Sequence, residues 1–78
     1  MENSIPLSHL SVGTPARVSD LITTGLSRRR MLDLGLIPGT IIHVVRKSPL
    51  GDPTAYNIRG ATIALRKEEA SLILVKPI

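Results

Sequence analysis

Apolar and polar residues alternate along this chain in short stretches separated by glycine and proline, and that pattern predicts a protein built mostly of short strands. From Thr14 to Ile22, Ala16, Val18 and Asp20 fall on one side and Arg17 and Ser19 on the other, as in a half-buried strand. Gly25 breaks that run. Thr40 to Arg46 follows as a strand of strong β formers, Ile41, Ile42, Val44 and Val45. Thr54 to Arg59 and Ala61 to Leu65 read as a hairpin bent at Gly60. Leu72 to Val75 is a last strand, closed by Pro77. Pro6 to Leu10 carries two leucines three apart, which suits one helical turn ended by Gly13, and Lys67 to Ser71 suits another. Ser48 to Pro53 holds two prolines and a glycine, so it is a loop.

The one longer helix is predicted after Ser27, whose hydroxyl can accept from a backbone N–H two or three residues on. Gly35 supplies a left-handed stop. At about 100° per residue, Leu26, Met31 and Leu34 share a face, and Arg30 projects between them. Arg30 is therefore expected to lay its stem along apolar side chains and hand its guanidinium to backbone carbonyls or a carboxylate. Arg28 and Arg29 are expected to point away. The elements together predict a mainly β domain over residues 1–78, a small barrel or sandwich of about five strands with one short inserted helix. Its expected core is Val18, Leu34, Ile42, Val44, Ile58, Ile63, Leu65, Ile73 and Val75.

Composition narrows the picture. A chain of 78 residues buries a modest core. Cysteine is absent, so neither a disulfide nor a thiolate zinc site is available, and with no Phe or Trp and Tyr56 alone the core must be aliphatic. No apolar run approaches the roughly 20 residues that cross a bilayer, and the polar start Met1-Glu2-Asn3-Ser4 is not a secretory signal. Direct membrane insertion is not expected; a soluble, cytoplasmic protein is. The net charge is +4, and the basic excess sits in the middle third, where Arg28, Arg29, Arg30, Arg46 and Lys47 face only Asp33. Such a patch attracts acidic protein surface, lipid head groups or nucleic acid. Nucleic acid fits poorly, because single-strand readers stack bases on aromatic side chains and this chain has one tyrosine.

Catalytic parts are missing from the sequence. There is no cysteine nucleophile, no Gly-x-Ser-x-Gly elbow and no glycine-rich phosphate fingerprint. No enzyme activity and no cofactor are expected. His9, His43, Asp52 and the Glu68-Glu69 pair carry metal-binding groups without ligand spacing, so no metal site is expected and both histidines read as surface residues.

What remains is surface for a partner. If Ile42 and Val44 face inward, Ile41 and His43 face outward; if Ile73 and Val75 face inward, Leu72 and Leu74 face outward. Few elements are available to cover both strands, which points to a partner or to self-association. Arg28 and Arg29 read either as a solvated helix face or as a contact for an acidic surface. Leu50, Gly51 and Asp52 lie in a proline-stiffened loop. There Leu50 either projects toward a partner, at little ordering cost, or folds back as a lid on the barrel end.

Several of these elements form an ordered set. They are Leu7-Ser8-x-Leu10 with Gly13, Arg30-Met31-Leu32-Asp33-Leu34-Gly35-Leu36-x-Pro38-Gly39, Ser48-Pro49-Leu50-Gly51-Asp52-Pro53, Arg59-Gly60, Ala64-Leu65-Arg66, and Glu69-Ala70-x-x-Ile73-x-Val75. With this spacing, running nearly end to end, the chain resembles the FeoA family, small cytosolic accessory proteins of bacterial ferrous-iron transport. The departures are Ser48, where the family often has Ala, and Ile41 and His43, where charged residues are common.

The resemblance implies an SH3-like β-barrel with an inserted helix and no catalytic activity. It implies a partner, the GTP-binding membrane ferrous-iron transporter, bound through its cytosolic region, and hence a place in the cytoplasm beside the inner membrane. Related barrels form the C-terminal domain of iron-dependent repressors, so a regulatory module of that kind is the alternative. An RNA-binding SH3-like barrel is the blander option.

Overall fold

A computed structural model describes residues 3–78. Six antiparallel strands form one sheet: β1 (Ile5–Pro6), β2 (Pro15–Leu21), β3 (Ile41–Lys47), β4 (Thr54–Ile58), β5 (Ala61–Leu65) and β6 (Ile73–Pro77). The strand order is β1-β6-β2-β3-β4-β5, so the sheet curls into a barrel-like shape without closing, with β1 and β5 as its free edges. Two helices, α1 (Gly25–Asp33) and α2 (Lys67–Ala70), and a 3-10 turn at Leu7–His9 complete the fold. Among the described residues no helix is long and apolar enough to cross a membrane.

The sixth strand, β1, is the one the alternation does not show. It is two residues long, includes a proline, and exists because Ile5 and Pro6 pair with Val75 and Leu74. The other five strands stand where the alternation places them, within one or two residues at their ends.

Two bulges change which residues point inward. In the β2–β6 ladder Val18 faces Val75 but Asp20 faces Leu74, which leaves Ser19 as the extra residue. The inward positions of β2 are therefore Ala16, Val18 and Leu21, and Asp20 is exposed rather than inward as simple alternation predicts. In the β3–β4 ladder Val44 faces Tyr56 but Arg46 faces Ala55, so Val45 is extra and turns outward.

The core is aliphatic, with Tyr56 as its one aromatic member. Seven of the nine expected core residues are buried; Leu34 and Ile63 are half-buried and pack against the cluster. Leu7 from the 3-10 turn, Met31 from α1, and Leu10 and Leu36 from the segments that follow them add bulk.

The helix α1 starts earlier than its sequence suggests. Gly25 takes a φ of +67°, swings the chain out of β2 and becomes the first helical residue, so Ser27 lies inside the helix and caps nothing. The C-terminus is as expected. Gly35 sits at φ +96°, the Leu36 N–H donates to the Met31 carbonyl at 3.0 Å, and the Gly35 N–H donates to Leu32 at 3.0 Å. This is the Schellman pattern, with its apolar contact supplied by buried Met31 and Leu36. The inner side of the helix carries Met31 and Leu32. Leu26, expected on that side, stands 85% exposed.

Candidate partner-binding surface

The loop between β3 and β4 is a built turn. The Gly51 N–H donates to the Ser48 carbonyl at 2.8 Å, with Pro49 and Leu50 at the two central positions and Gly51 at φ +85°. The Ser48 N–H donates to the Pro53 carbonyl at 3.1 Å and closes the base. Leu50 stands at the tip, 94% exposed, and does not fold back over the barrel end. Asp52 is turned the other way. Its Oδ1 accepts the Lys67 N–H at 2.8 Å, which ties the loop to the start of α2 and satisfies one of that helix's open donors.

Arg28, Arg29 and Arg30 have three different surroundings. The Arg28 guanidinium donates to the Leu21 carbonyl at 3.2 Å, so this residue clamps α1 to the end of β2 rather than pointing away from the barrel. Arg29 is exposed, beside a depression of ≈ 380 Å³ that it lines with Gly25, Arg28, Leu32 and Asp33. Arg30 hands its guanidinium to the Glu69 carboxylate, as expected for a residue seeking a carboxylate, but on an exposed stretch of the helix instead of across the core.

Glu69 joins two contacts: its Oε1 accepts the Arg66 N–H at 3.0 Å, and Oε2 meets Arg30. Its carboxyl is held below the usual range, first by the Arg66 backbone N–H and then by the Arg30 guanidinium. A depression of ≈ 450 Å³ lined by Arg30, Pro53, Ala64, Arg66, Glu68 and Glu69 lies where α1, the loop and α2 meet. The loop and the helix are thus brought together through Pro53 and Arg30. Neither Leu50 nor Arg28 and Arg29 line that depression.

The expected outward apolar patch is only partly present. Ile41 is exposed on β3. Leu72 and Leu74 are half-buried: Leu72 packs against the core just before β6, and Leu74 lies between Pro6 of β1 and Asp20 of β2. The short β1 strand, invisible in the alternation, is what flanks Leu74. Leu26 is the exposed leucine that the sequence reading placed inside. The signal that could have found it is Gly25, which starts the helix early and resets its rotation.

His9 and His43 are both exposed, and among the described residues no three His, Asp or Glu side chains come together as a metal site. Burial raises the Tyr56 phenol above its ordinary value, so it stays protonated at neutral pH.

The family model for the FeoA domain matches residues 5–77. The chain belongs to the FeoA family. It is 38% identical over 70 residues to a protein of Porphyromonas gingivalis named Fe(2+) transport protein A/Fe(2+) transporter FeoB fusion protein, matching 90% of this chain. The chain spans only 8% of that fusion protein. Its fold matches the NMR structure of an FeoA-like protein from Clostridium acetobutylicum at a TM-score of 0.91 and 35% identity, over 100% of this chain and 91% of the other. It also matches the crystal structure of zinc-complexed FeoA from Stenotrophomonas maltophilia, named as an SH3 domain protein, at 0.80 and 30%, over 90% and 87%. The fold is SH3-like. A likeness to T. acidophilum IdeR, at 0.86 and 22% over 36% of that chain, is one of fold alone.

Proposed function

We propose that this FeoA-family protein is an accessory, non-catalytic component of ferrous-iron uptake that binds the cytosolic region of a GTP-binding membrane ferrous-iron transporter. The observation that supports this is the fused relative, in which a segment 38% identical to this chain is part of the same polypeptide as a transporter named FeoB. Covalent linkage raises the effective concentration of two modules toward the millimolar range, which suits partners that otherwise meet weakly. Leu50 at the tip of a hydrogen-bonded turn and Arg29 on the open side of α1 are the contact residues we assign.

The test is a calorimetric titration of the chain into the purified cytosolic region of the ferrous-iron transporter encoded in the same genome. Saturable binding supports the reading. No heat and no co-elution at 100 µM (about −5.5 kcal/mol of binding free energy) overturns it.

A further inference from the structure

Among the described residues, the β5 edge is a five-residue stretch of backbone prepared for pairing and left unpaired on its outer side. Strand order ends at β5, and among the described residues none of the backbone hydrogen bonds outside the ladders involves Thr62 or Ala64. The hairpin geometry says which groups are open. Arg59 and Gly60 form a two-residue turn with φ of +53° and +88°, so Ile58 and Ala61 close it as a hydrogen-bonded pair. Alternation then makes Tyr56–Ile63 and Thr54–Leu65 hydrogen-bonded pairs as well. The N–H and C=O groups of Thr62 and Ala64 point away from β4, and both residues are exposed.

Edges of this kind are usually blunted by a charge, a proline, a bulge or brevity. The opposite edge, β1, has two residues and one is Pro6. In β5, Ala61-Thr62-Ile63-Ala64-Leu65 carries no charge and no proline, and its register with β4 is unbroken over five pairs.

The flanks of that edge are basic. Arg59 lies at one end and Arg66 and Lys67 at the other. On the outer face Arg46 pairs with Ala55, which pairs with Ala64, so two small side chains leave a trough of ≈ 480 Å³ walled by Arg46, Lys47, Pro49 and Pro53. The Ser48 hydroxyl lining it is buried without a hydrogen-bond partner. Of the nearby carboxylates, Glu69 is paired with the Arg30 guanidinium and accepts the Arg66 backbone N–H, and Asp52 accepts the Lys67 backbone N–H, so Asp52, Glu68 and Glu69 are outnumbered by Arg46, Lys47, Arg59, Arg66 and Lys67 around the edge.

We propose that the β5 edge accepts an extended, acidic segment of a partner protein as an added antiparallel or parallel strand, through the backbone groups of Thr62 and Ala64. Main-chain pairing supplies the binding, and the basic flanks select a segment bearing carboxylates. A second copy of this chain fits less well. Antiparallel pairing about Ile63 would set Arg66 opposite Gly60 and beside Arg59 of the other copy, like charge against like. The proposal rests on the functional reading above, in that the segment belongs to the transporter's cytosolic region.

The experiment is residue-resolved amide hydrogen exchange on the whole chain, with and without that cytosolic region. Expected is alternating protection: exchange at Thr62 and Ala64 slows at least about tenfold, while Ala61, Ile63 and Leu65, already paired with β4, change little. Ala64→Pro, which removes an outward N–H from an edge strand, should weaken binding about tenfold or more at an unchanged fold. Thr62→Pro serves the same purpose should the first variant lose its native spectrum. Binding with no added protection at Thr62 and Ala64 overturns the edge assignment and leaves the functional reading standing. No binding by the wild-type chain overturns both. Protection present in the chain alone and lost on dilution makes the occupant a second copy, which also overturns the proposal.

Discussion

Strands β4 and β5 are successive five-residue arms of one hairpin, and they have opposite fates. Thr54-Ala55-Tyr56-Asn57-Ile58 is the more polar, yet Thr54, Tyr56 and Ile58 are all buried. Ala61-Thr62-Ile63-Ala64-Leu65 is the more apolar, yet only Leu65 is buried. The difference is position. β4 has β3 on one side and β5 on the other, while β5 has β4 alone. In a barrel-like sheet that does not close, a strand's place in the order decides burial more than its composition does.

The largest test of that contrast is a pair of truncations. Ile58→Ala empties a site that is 0% exposed and should cost about 2–5 kcal/mol. Set against a stability of about 5–15 kcal/mol for a domain, that can leave the variant unfolded at moderate temperature. Ile63→Ala, at a half-buried site of the same hairpin, should cost about 1 kcal/mol. Urea unfolding of both variants measures the gap, and equal losses would show that β5 is as deeply part of the core as β4.

The turn joining the two strands offers a smaller effect. Arg59 lays its stem across Gly35 at the end of α1: a Cβ built on Gly35 would sit 2.7 Å from the Arg59 Cδ. Gly35 also holds φ +96°. Gly35→Ala should therefore cost about 1–2 kcal/mol through backbone strain alone, with crowding in addition. Adding Arg59→Ala should recover the crowding and not the strain. A thermal-melt double-mutant cycle with no coupling would place the Arg59 stem away from the helix.

These contrasts were legible in the sequence to different depths. Strand existence was readable because alternation is local, and the Ile42, Val44, Ile58 and Leu65 positions follow from it. The bulges at Ser19 and Val45 were not, because an extra residue leaves no mark on composition; the first shows only as two residues, Ser19 and Asp20, between the inward Val18 and Leu21. The strand β1 was too short and too proline-bearing to read. The rotation of α1 differs from the one its apolar residues suggest, because a nine-residue helix with three arginines offers few apolar positions to fix its phase. The Arg30–Glu69 contact joins residues 39 apart, and nothing local announces such a pair. On the surface, the Pro-Leu-Gly turn left Leu50 either projecting or folded back, which the 94% exposure of Leu50 decides, whereas an open β5 edge is visible only from the strand order.

The exit from β5 gives a pH-dependent test. Glu69 is held below the ordinary carboxylate range by the Arg66 N–H and by Arg30, and it ties α2 to α1. A carboxyl whose folded value is lowered stabilises the fold above its unfolded value, about 4.3 for Glu. That contribution is lost as pH falls through the lowered folded value. Glu69→Gln should therefore lie below wild type in thermal midpoint at pH 7 and converge with it below about pH 4, as the wild-type carboxyl becomes protonated. Because the Arg30 side chain is more than half exposed, the gap should shrink with added salt. A gap that persists unchanged at low pH would show that the amide substitution acts through packing.

The smallest stability effect is expected where the chain enters β4. Leu50 is exposed and the turn beneath it is held by backbone hydrogen bonds at Ser48, Gly51 and Pro53, so Leu50→Ala removes no packed surface. Its thermal midpoint should fall within about 0.5 kcal/mol of wild type in equivalent stability. The charge reversal that belongs beside it is Arg29→Glu alone, because Arg28 donates to the Leu21 carbonyl and its loss would disturb the α1–β2 junction. Both variants should weaken titration into the transporter's cytosolic region, and Arg29→Glu should flatten the salt dependence of what binding remains. A sharp drop in midpoint for Leu50→Ala would mean that β4 draws stability from its loop as well as from its two neighbouring strands. The burial contrast with β5 would then have a second cause beyond strand order.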